Sequence, residues 1–283
     1  MGPHGKRIPT GVSDFDSIIK GGLPAGSVVL LLGEVGAGQN EFVYTSLFKI
    51  ADVQGRPEKC EMTLGTYCDY NSLPEKLCYV TFVRPKEDIM REISTSFDQS
   101  WFASLQSKLL FKDFSANYFR QSVVPSSWTS TGDNGNSLLG GGAEKEDVLN
   151  ALVKFLDDNA KDAIVVVDSL TDLVISKTID SRDLVMVLRG MQRAAKKWGG
   201  IIYLLLTKDI LEPREQQMIV DSVDGVIVFE WQHFTKGSGR QRYMYIEKFM
   251  TVLPHVERDR IARFPTTVSA YGGLAVINMD RIG

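Results

Sequence analysis

The sequence predicts an α/β fold: a mostly parallel β-sheet with helices on both faces and antiparallel strands at its C-terminal end. Three observations support this prediction. Short apolar runs alternate with longer segments of helical period through the second half of the chain. The run from Ile164 to Val167 is apolar and β-branched throughout, which is typical of a strand buried on both faces. At 283 residues and 43% hydrophobic composition, the chain can also bury a sizeable core.

The first half of the chain begins with a turn and a short helix capped by Ser13, followed by a tight connection over 21–26. A helix beginning near Pro85 is predicted because apolar residues recur at i, i+4 and i+8 from Ile89 onward. The other predicted elements of this half are strand 28–32, helix 41–49, strand 77–83 and strand 109–114.

The second half alternates strands and helices, and its last strands are predicted to be antiparallel. The late runs alternate apolar and polar residues and are separated by turn residues such as those at 236–239. The predicted elements are helix 145–159, strand 163–168, helix 180–198, strand 201–207, a helix after Pro213, strand 225–230, and antiparallel strands 242–249 and 274–278.

We expect residues 1–283 to form a single domain that carries two insertions. Segment 52–76 has no clear period and is rich in polar and turn residues. Segment 122–146 is rich in Ser, Gly and Asn, a composition that cannot bury much surface, and it is predicted to be an exposed loop. Trp128 lies in this loop and is a candidate contact residue, with local packing as the alternative.

Composition and charge argue against some classes of function. The formal net charge of −3 argues against a protein that binds nucleic acid through general electrostatics. No apolar run reaches the ~18 residues of a membrane-spanning helix, and the N-terminus has no apolar signal core, so we expect a cytoplasmic protein. An odd count of three cysteines in such a protein favours free thiols. Cys78 is expected in the core, whereas a redox or metal role stays open for Cys60 and Cys68.

Residues 33–40 have the glycines of a phosphate-binding loop but lack its lysine and its hydroxyl residue. The template is G-x-x-x-x-G-K-[S/T] between a strand and a helix, and Gly33 and Gly38 occupy its glycine positions. Gln39 stands in place of the lysine, and Asn40 in place of the hydroxyl residue that binds Mg²⁺. The candidate nucleotide-binding residues are Gly33, Glu34, Val35, Gly36, Ala37, Gly38, Gln39 and Asn40, together with Asp168.

These replacements predict weak binding of ATP or ADP at most. Successive backbone N–H groups and a helix N-terminus still form a concavity for phosphate. The missing lysine would contribute up to about 4 kcal/mol at contact distance. Gln39 brings no charge, and Asn40 is a poor ligand for Mg²⁺. Glu34 and Glu41 add negative charge, so the loop is expected to offer amide hydrogens but no cation of its own. A tight turn that binds no ligand is the alternative.

The aspartate at the end of strand 163–168 supports a nucleotide-binding fold. Asp168 lies at the position where an aspartate normally holds the metal-bound water beside the loop. Many α/β strands end in Asp, so Asp168 supports nucleotide binding only in combination with the loop at 33–40.

Four stretches together resemble the KaiC-like branch of the RecA superfamily. The most specific is the Gly-Gly-Leu-Pro-Ala-Gly-Ser run before the loop strand. The form of the loop is also similar to archaeal proteins called HTR-like, which are described as inactivated RecA-superfamily ATPases. The resemblance covers roughly residues 7–278 apart from the insertions. It implies a RecA-like fold and often a hexameric ring with nucleotide between subunits. The four stretches are 8–11, 21–27, 33–40 and 167–171.

The catalytic residues of that family are replaced here. In the family, paired glutamates follow the second core strand, and one acts as general base for the attacking water. The matching positions are Val83 and Arg84, which cannot do this. The family's Lys-x-Arg pair, which reaches the neighbour's γ-phosphate, is matched by 248–250, where only Lys248 remains. An arginine supplied in this way is worth about 10³–10⁵ in rate. The resemblance therefore implies that the chain keeps the family's fold without its catalytic residues.

The function predicted from the sequence is a catalytically inactive RecA/KaiC-like protein without a metal. It would act by self-assembly as a homo-oligomer or by binding a protein partner. An active ATPase that uses a relocated lysine, Lys208 or Lys248, is the first alternative. A recombinase-like DNA-binding protein is the second, and the acidic balance argues against it. The basic stretch 255–263 alternates with acids and is expected to be a solvated surface.

Overall fold

The computed structural model describes residues 5–129, 147–176, 179–233, 239–256 and 263–277. The strands are β1 (Arg7–Ile8), β2 (Leu23–Pro24), β3 (Ser27–Gly33), β4 (Lys76–Thr81), β5 (Leu109–Asp113), β6 (Ala163–Asp168), β7 (Ile201–Thr207), β8 (Gly225–His233), β9 (Arg240–Phe249), β10 (Phe264–Ser269) and β11 (Gly273–Val276). The helices are α1 (Ser13–Ile18), α2 (Gln39–Gly55), α3 (Cys60–Leu64), α4 (Lys86–Ser96), α5 (Gln99–Gln106), α6 (Ser115–Tyr118), α7 (Ser126–Thr129), α8 (Val148–Asn159), α9 (Leu170–Ile175), α10 (Ser181–Trp198) and α11 (Pro213–Asp221). Short 3₁₀ turns lie at Pro57–Lys59, Tyr70–Ser72, Phe119–Gln121 and Leu253–His255.

The large sheet has the strand order β11-β10-β9-β8-β3-β7-β6-β4-β5, and β1 pairs with β2 in a separate small sheet. The strands from β8 to β5 pair in parallel, whereas β9, β10 and β11 join in antiparallel fashion. The predicted α/β fold, with a mostly parallel sheet and antiparallel C-terminal strands, is confirmed. Because β3 runs parallel to β7 and β8, the loop that follows it lies at the carboxyl edge that these strands share, where such folds bind ligands.

Helices cover both faces of the sheet because the central strands are apolar on both. In β3, Val29 and Leu31 face one core with α1, α2, α4 and α5. Leu30 and Leu32 face a second core with α8, α9, α10 and α11. Every residue of β3 is buried. Burying one Val or Leu side chain contributes about 1.5–3 kcal/mol, so the two layers hold the loop on a well-packed platform.

Some predicted elements differ from the observed ones at their ends. α2 continues to Gly55, beyond the predicted end at 49, because its residues stay buried as far as Val53. α1 begins at Ser13, but its N-cap residue is Val12 and no side chain caps it, so the predicted Ser13 cap is wrong. β10 has no counterpart among the predicted strands, because only two of its six residues are buried and the apolar pattern is weak.

The first predicted insertion, 52–76, completes α2 and then forms α3 and two 3₁₀ turns. Cys60 and Cys68 are joined by a disulfide, with their Cα atoms 5.7 Å apart. The prediction of free thiols is therefore wrong for these two cysteines. The physical reason is Gly65, whose φ of +87° turns the chain back after α3 and brings the two cysteines together. Cys78 is free and buried.

The second predicted insertion, 122–146, is described only as far as Thr129. Trp128 lies in α7 with 80% of its surface exposed. The turn 236–239 and the basic stretch 255–263 fall largely outside the described residues. Whether the two segments are insertions stays a prediction. Across the described ranges, every helix is too short or too polar to cross a membrane.

Candidate functional site

The loop between β3 and α2 has the backbone of a phosphate-binding loop. β3 ends at Gly33, and α2 begins at Gln39. Gly36 and Gly38 have φ values of +72° and +124°, which glycine adopts without the strain that a side chain would cause. The first amides of α2 have no partner within the helix. An anion at this end of the helix is therefore favoured.

Strands β8 and β9 hold this loop from outside through two side chains, Trp231 and Arg242, which we call the loop clamp. The Trp231 Nε1–H donates to the Val35 carbonyl oxygen at 3.2 Å. The Arg242 Nε–H donates to the Gly36 carbonyl oxygen at 3.0 Å. The Trp231 backbone N–H donates to the Glu34 carboxylate at 3.1 Å. The sequence gives no signal for the clamp, because the contacts join residues 196 and 206 positions apart.

Arginines surround the clamp tryptophan. The guanidinium carbons of Arg240 and Arg242 lie 3.9 and 4.8 Å from the Trp231 ring centroid, within the range of cation–π contacts. Arg242 also forms an ion pair with the Glu41 carboxylate at 3.4 Å. Glu41, which was expected to disfavour a phosphate, is therefore partly neutralised.

A cavity of about 360 Å³ opens between the loop and the carboxyl ends of β6 and β7. Of the candidate nucleotide-binding residues, the structure brings Val35, Gly36, Gln39, Asn40 and Asp168 together around this cavity. The other four candidates are not among its lining residues; they are Gly33, Glu34, Ala37 and Gly38.

Gln39 fills the place of the loop lysine with an uncharged amide. It is 9% exposed, and its side chain packs directly on Gly33, where a Cβ atom would collide with it. Its Oε1 atom has no hydrogen-bond partner among the described residues. A buried amide oxygen without a partner is costly.

Asp168 ends β6 and is 8% exposed. The Tyr79 hydroxyl of β4 donates to its Oδ2 atom at 2.6 Å. Burial raises the pKa of Asp168, although the hydrogen bond from Tyr79 and the charge of Arg84 act in the opposite direction. The carboxylate is thus engaged within the protein. Sequence reasoning missed Tyr79 because its contact depends on β4 lying beside β6.

Arg84 follows β4 and brings a guanidinium to the same cavity. It forms an ion pair with Glu92 of α4, which also lines the cavity. Val83, the other position matched to the family's glutamates, is 38% exposed and does not line the cavity. The sequence predicts a loop with no cation of its own, and residues 33–40 carry none. Arg84, which follows β4, brings a cation to the cavity from outside the loop.

The two lysines considered as replacements lie away from the cavity. Lys208 Nζ donates to Glu230 at 2.7 Å and lies 3.9 Å from Glu34. The hydrogen bond with Glu230 raises the pKa of Lys208. Lys248 Nζ donates to three backbone carbonyl groups at the end of α11, at 2.8, 3.1 and 2.8 Å. Neither lysine is among the lining residues of the cavity.

The donors around the cavity do not fit Mg²⁺, the ion that a fold of this kind implies. Mg²⁺ demands near-octahedral oxygen ligands, usually carboxylates, phosphates and water. Asn40 offers a neutral amide, and Oδ2 of Asp168 accepts a hydrogen bond from Tyr79. Within the part of the chain that the structure describes, no group of three or more His, Cys, Asp or Glu could hold a metal ion.

The strand order, the loop after β3 and the acid at the end of β6 define a RecA-like fold. Among solved structures, the chain is similar to a KaiC-like protein from the hyperthermophilic archaeon Pyrococcus horikoshii OT3. The TM-score is 0.61 and the sequence identity 20%, over 96% of this chain and 99% of that chain. No protein-family model and no curated protein matches the chain. The likeness shows a KaiC-like fold.

Proposed function

We propose that this chain is a RecA/KaiC-like protein that does not hydrolyse nucleotide and acts by self-assembly or by binding a protein partner. The observation that carries the proposal is the guanidinium of Arg84 in the cavity. A general base must accept a proton from the attacking water. A guanidinium has only donors and stays protonated, so Arg84 cannot take this role.

Two further residues support this proposal. Gln39 packs on Gly33 and brings no charge to a transferred phosphate. Asp168 is buried and accepts a hydrogen bond from Tyr79 in the position where a metal-bound water would be held. The cavity therefore keeps the loop backbone that can bind a phosphate and lacks the side chains that would transfer a phosphoryl group.

An active ATPase with a relocated lysine would require one of two rearrangements. Lys208 would have to leave Glu230, to which it donates at 2.7 Å. Lys248 would have to leave three backbone carbonyl groups. Either change would leave a lysine ammonium group without its present hydrogen-bond partners, so we rank this function second.

Phosphate release from ATP in the presence of Mg²⁺ tests the proposal. We expect the wild-type protein to be no faster than Asp168→Ala. Turnover near 10⁻² s⁻¹ or faster that disappears in Asp168→Ala would refute the proposal. In that case Lys208→Ala and Lys248→Ala would show whether a relocated lysine is responsible. The mass of the same preparation in solution distinguishes self-assembly from binding of a different protein.

A further inference from the structure

A surface groove, away from the loop, lies between α10 and α11. Two cavities of about 390 and 370 Å³ form it, and both are lined by Val185, Arg214 and Met218. Most side chains that line the larger cavity are apolar, and Met218 is 37% exposed. Exposed apolar surface of this kind, bordered by polar residues, is typical of a site that contacts another protein. We call it the basic groove, for the charges described next.

The border of the basic groove carries more positive than negative charge. Arg182 and Arg214 line the larger cavity, and neither guanidinium forms an ion pair with a described residue. Glu215 is the one carboxylate among the described residues that line this cavity. At the smaller cavity, Asp221 is already paired with Arg189 at 2.8 Å. The groove is therefore complementary to a partner surface that is both apolar and acidic.

α3 and the 3₁₀ turn before it present such a surface. Glu58, Glu61 and Met62 follow the i, i+3, i+4 spacing that places side chains on one helical face. All three are exposed, Met62 to 76%, whereas Lys59, the base of this turn, is half-buried. A methionine side chain is flexible and fills irregular apolar gaps well. We call the three exposed residues the acidic face of α3.

The acidic face of α3 is held in place by its own segment. The disulfide between Cys60 and Cys68 closes this segment, so little ordering is needed on binding. Leu64 of α3 belongs to the core on the α2 side of the sheet. Leu184 of α10 and Ile219 of α11 belong to the core on the other side. The sheet therefore separates the acidic face from the basic groove of the same copy.

We propose that the basic groove binds the acidic face of α3 from a second copy of this chain. Met62 would enter the apolar cavities, and Glu61 would lie beside Arg214. Each copy carries one groove and one acidic face on opposite sides of its sheet, so the contact is head-to-tail and leads to chains or rings of copies. This inference rests on the proposed function, because it names the surfaces through which self-assembly would occur.

The mass of the full chain in solution, measured by analytical ultracentrifugation without nucleotide or Mg²⁺, tests this inference. Protein concentrations from about 1 μM to 1 mM cover the range of weak complexes. We expect the wild type to associate reversibly as its concentration rises, because one helical turn in one groove is a small contact. Added salt should weaken the association, because exposed charges contribute to it.

Two methionine substitutions test the apolar part of the contact. Met62→Glu and Met218→Glu should each weaken association at least about tenfold, because each places an unpaired carboxylate in the contact. Both side chains are exposed within one copy, so the melting temperature should stay near that of the wild type. Met250→Glu, at a side chain that is 85% exposed and outside both surfaces, is the matched control and should associate as the wild type does.

A mixture of the two variants tests whether the contact is head-to-tail. Met62→Glu keeps an intact basic groove, and Met218→Glu keeps an intact acidic face. At a concentration where the wild type associates, we expect each variant alone to be monomeric and the mixture to form dimers and nothing larger. A mixture that stays monomeric, or that forms larger species, would contradict a head-to-tail contact.

Charge reversal tests the polar part of the contact. Glu61→Arg and Arg214→Glu should each weaken association severalfold, because each places two like charges side by side. The double variant should recover most of the wild-type association, because the ion pair forms again with its signs exchanged. A double variant that associates no better than the single ones would overturn the inference.

Three further results would overturn the inference and leave the proposed function intact. They are a wild type that is monomeric at every concentration, association that requires nucleotide, and a loss of association in Met218→Glu but not in Met62→Glu. In the last case the groove binds a different occupant. ATP turnover that is lost in Asp168→Ala would instead overturn the proposed function, so the two failures are distinguishable.

Discussion

Asp16 lies inside the protein and holds the turn that precedes α1. Its carboxylate accepts hydrogen bonds from the Thr10 hydroxyl and from the backbone N–H groups of Thr10 and Gly11, at 2.8–3.2 Å. Burial raises the pKa of Asp16 to about 7, although these hydrogen bonds and the charge of Lys49 act in the opposite direction. Asp16 therefore makes the stability of the protein depend on pH.

We expect the free energy of unfolding to fall between pH 5 and pH 8 by about 2–3 kcal/mol more in the wild type than in Asp16→Asn. The folded protein keeps a proton on Asp16 that the unfolded chain releases near pH 4. This contribution is complete below about pH 4 and is lost as the pH rises to about 7. Urea unfolding at both pH values measures it. Asp14→Asn, at an exposed site of the same helix, should keep the wild-type slope. A wild-type slope in Asp16→Asn would contradict the assignment.

Single residues show what the sequence could predict of the candidate site. Gln39 and Asn40 depart from a short template, so the missing charge and hydroxyl were predictable from eight consecutive positions. Arg84 reaches the cavity and Tyr79 contacts Asp168 because β4 lies beside β6 in the sheet. The resemblance indicated position 84, but strand order is a property of the folded chain, so no local pattern of residues reveals the contact of Tyr79 with Asp168.

The loop clamp acts at the scale of two paired strands. Trp231 of β8 and Arg242 of β9 are direct partners in the strand register, and each donates to one carbonyl of the loop. The two donors fix the positions of the Val35 and Gly36 carbonyl groups. The loop is therefore ordered by contacts within the protein.

Trp231→Phe should loosen the loop without unfolding the sheet. The variant loses the hydrogen bond to Val35 but keeps an aromatic ring against Arg242. We expect faster amide hydrogen exchange over 34–38 and a loss of about 1 kcal/mol in the free energy of unfolding. Trp128→Phe, at a side chain that is 80% exposed, should change neither. Unchanged exchange in the loop would show that the clamp does not order it.

Helices and strands were predictable to the extent that their apolar pattern was strong. β6 and β7 lie at the predicted bounds, because both are buried along almost their whole length. β10 was missed, because it pairs β9 with β11 through alternating residues of which few are buried. The disulfide between Cys60 and Cys68 was missed. The prediction of free thiols was based on an odd number of cysteines in a protein expected to be cytoplasmic, and not on the geometry of the chain.

At the scale of the whole molecule, one aromatic ring of α2 ties together elements that are distant in sequence. The Phe42 side chain is fully buried. Its ring centroid lies 6.4 Å from that of Phe15 in α1, 5.8 Å from Tyr203 in β7 and 5.6 Å from Phe229 in β8. The N-terminal turn, the loop helix and the central strands therefore share one core.

Phe42→Ala should lower the free energy of unfolding by about 3–5 kcal/mol. The truncation leaves a cavity where α1, α2 and the sheet meet, and the surrounding rings cannot collapse into it fully. Denaturant unfolding should still show one transition, because these elements share a core. Met250→Ala, at a side chain that is 85% exposed, should change stability by no more than about 0.5 kcal/mol. Two separate transitions in Phe42→Ala would show that the N-terminal elements fold independently.

The carbonyl groups that hold Lys248 have a consequence for any assembly of this chain. An ammonium group has three N–H donors, and Lys248 directs all of them to Val220, Asp221 and Val223 of its own copy. To reach a phosphate in an adjacent copy, Lys248 would have to leave these three carbonyl groups. If the proposed function holds, contacts between copies would depend on protein concentration and salt and not on nucleotide turnover. Such an assembly would keep one arrangement of its subunits.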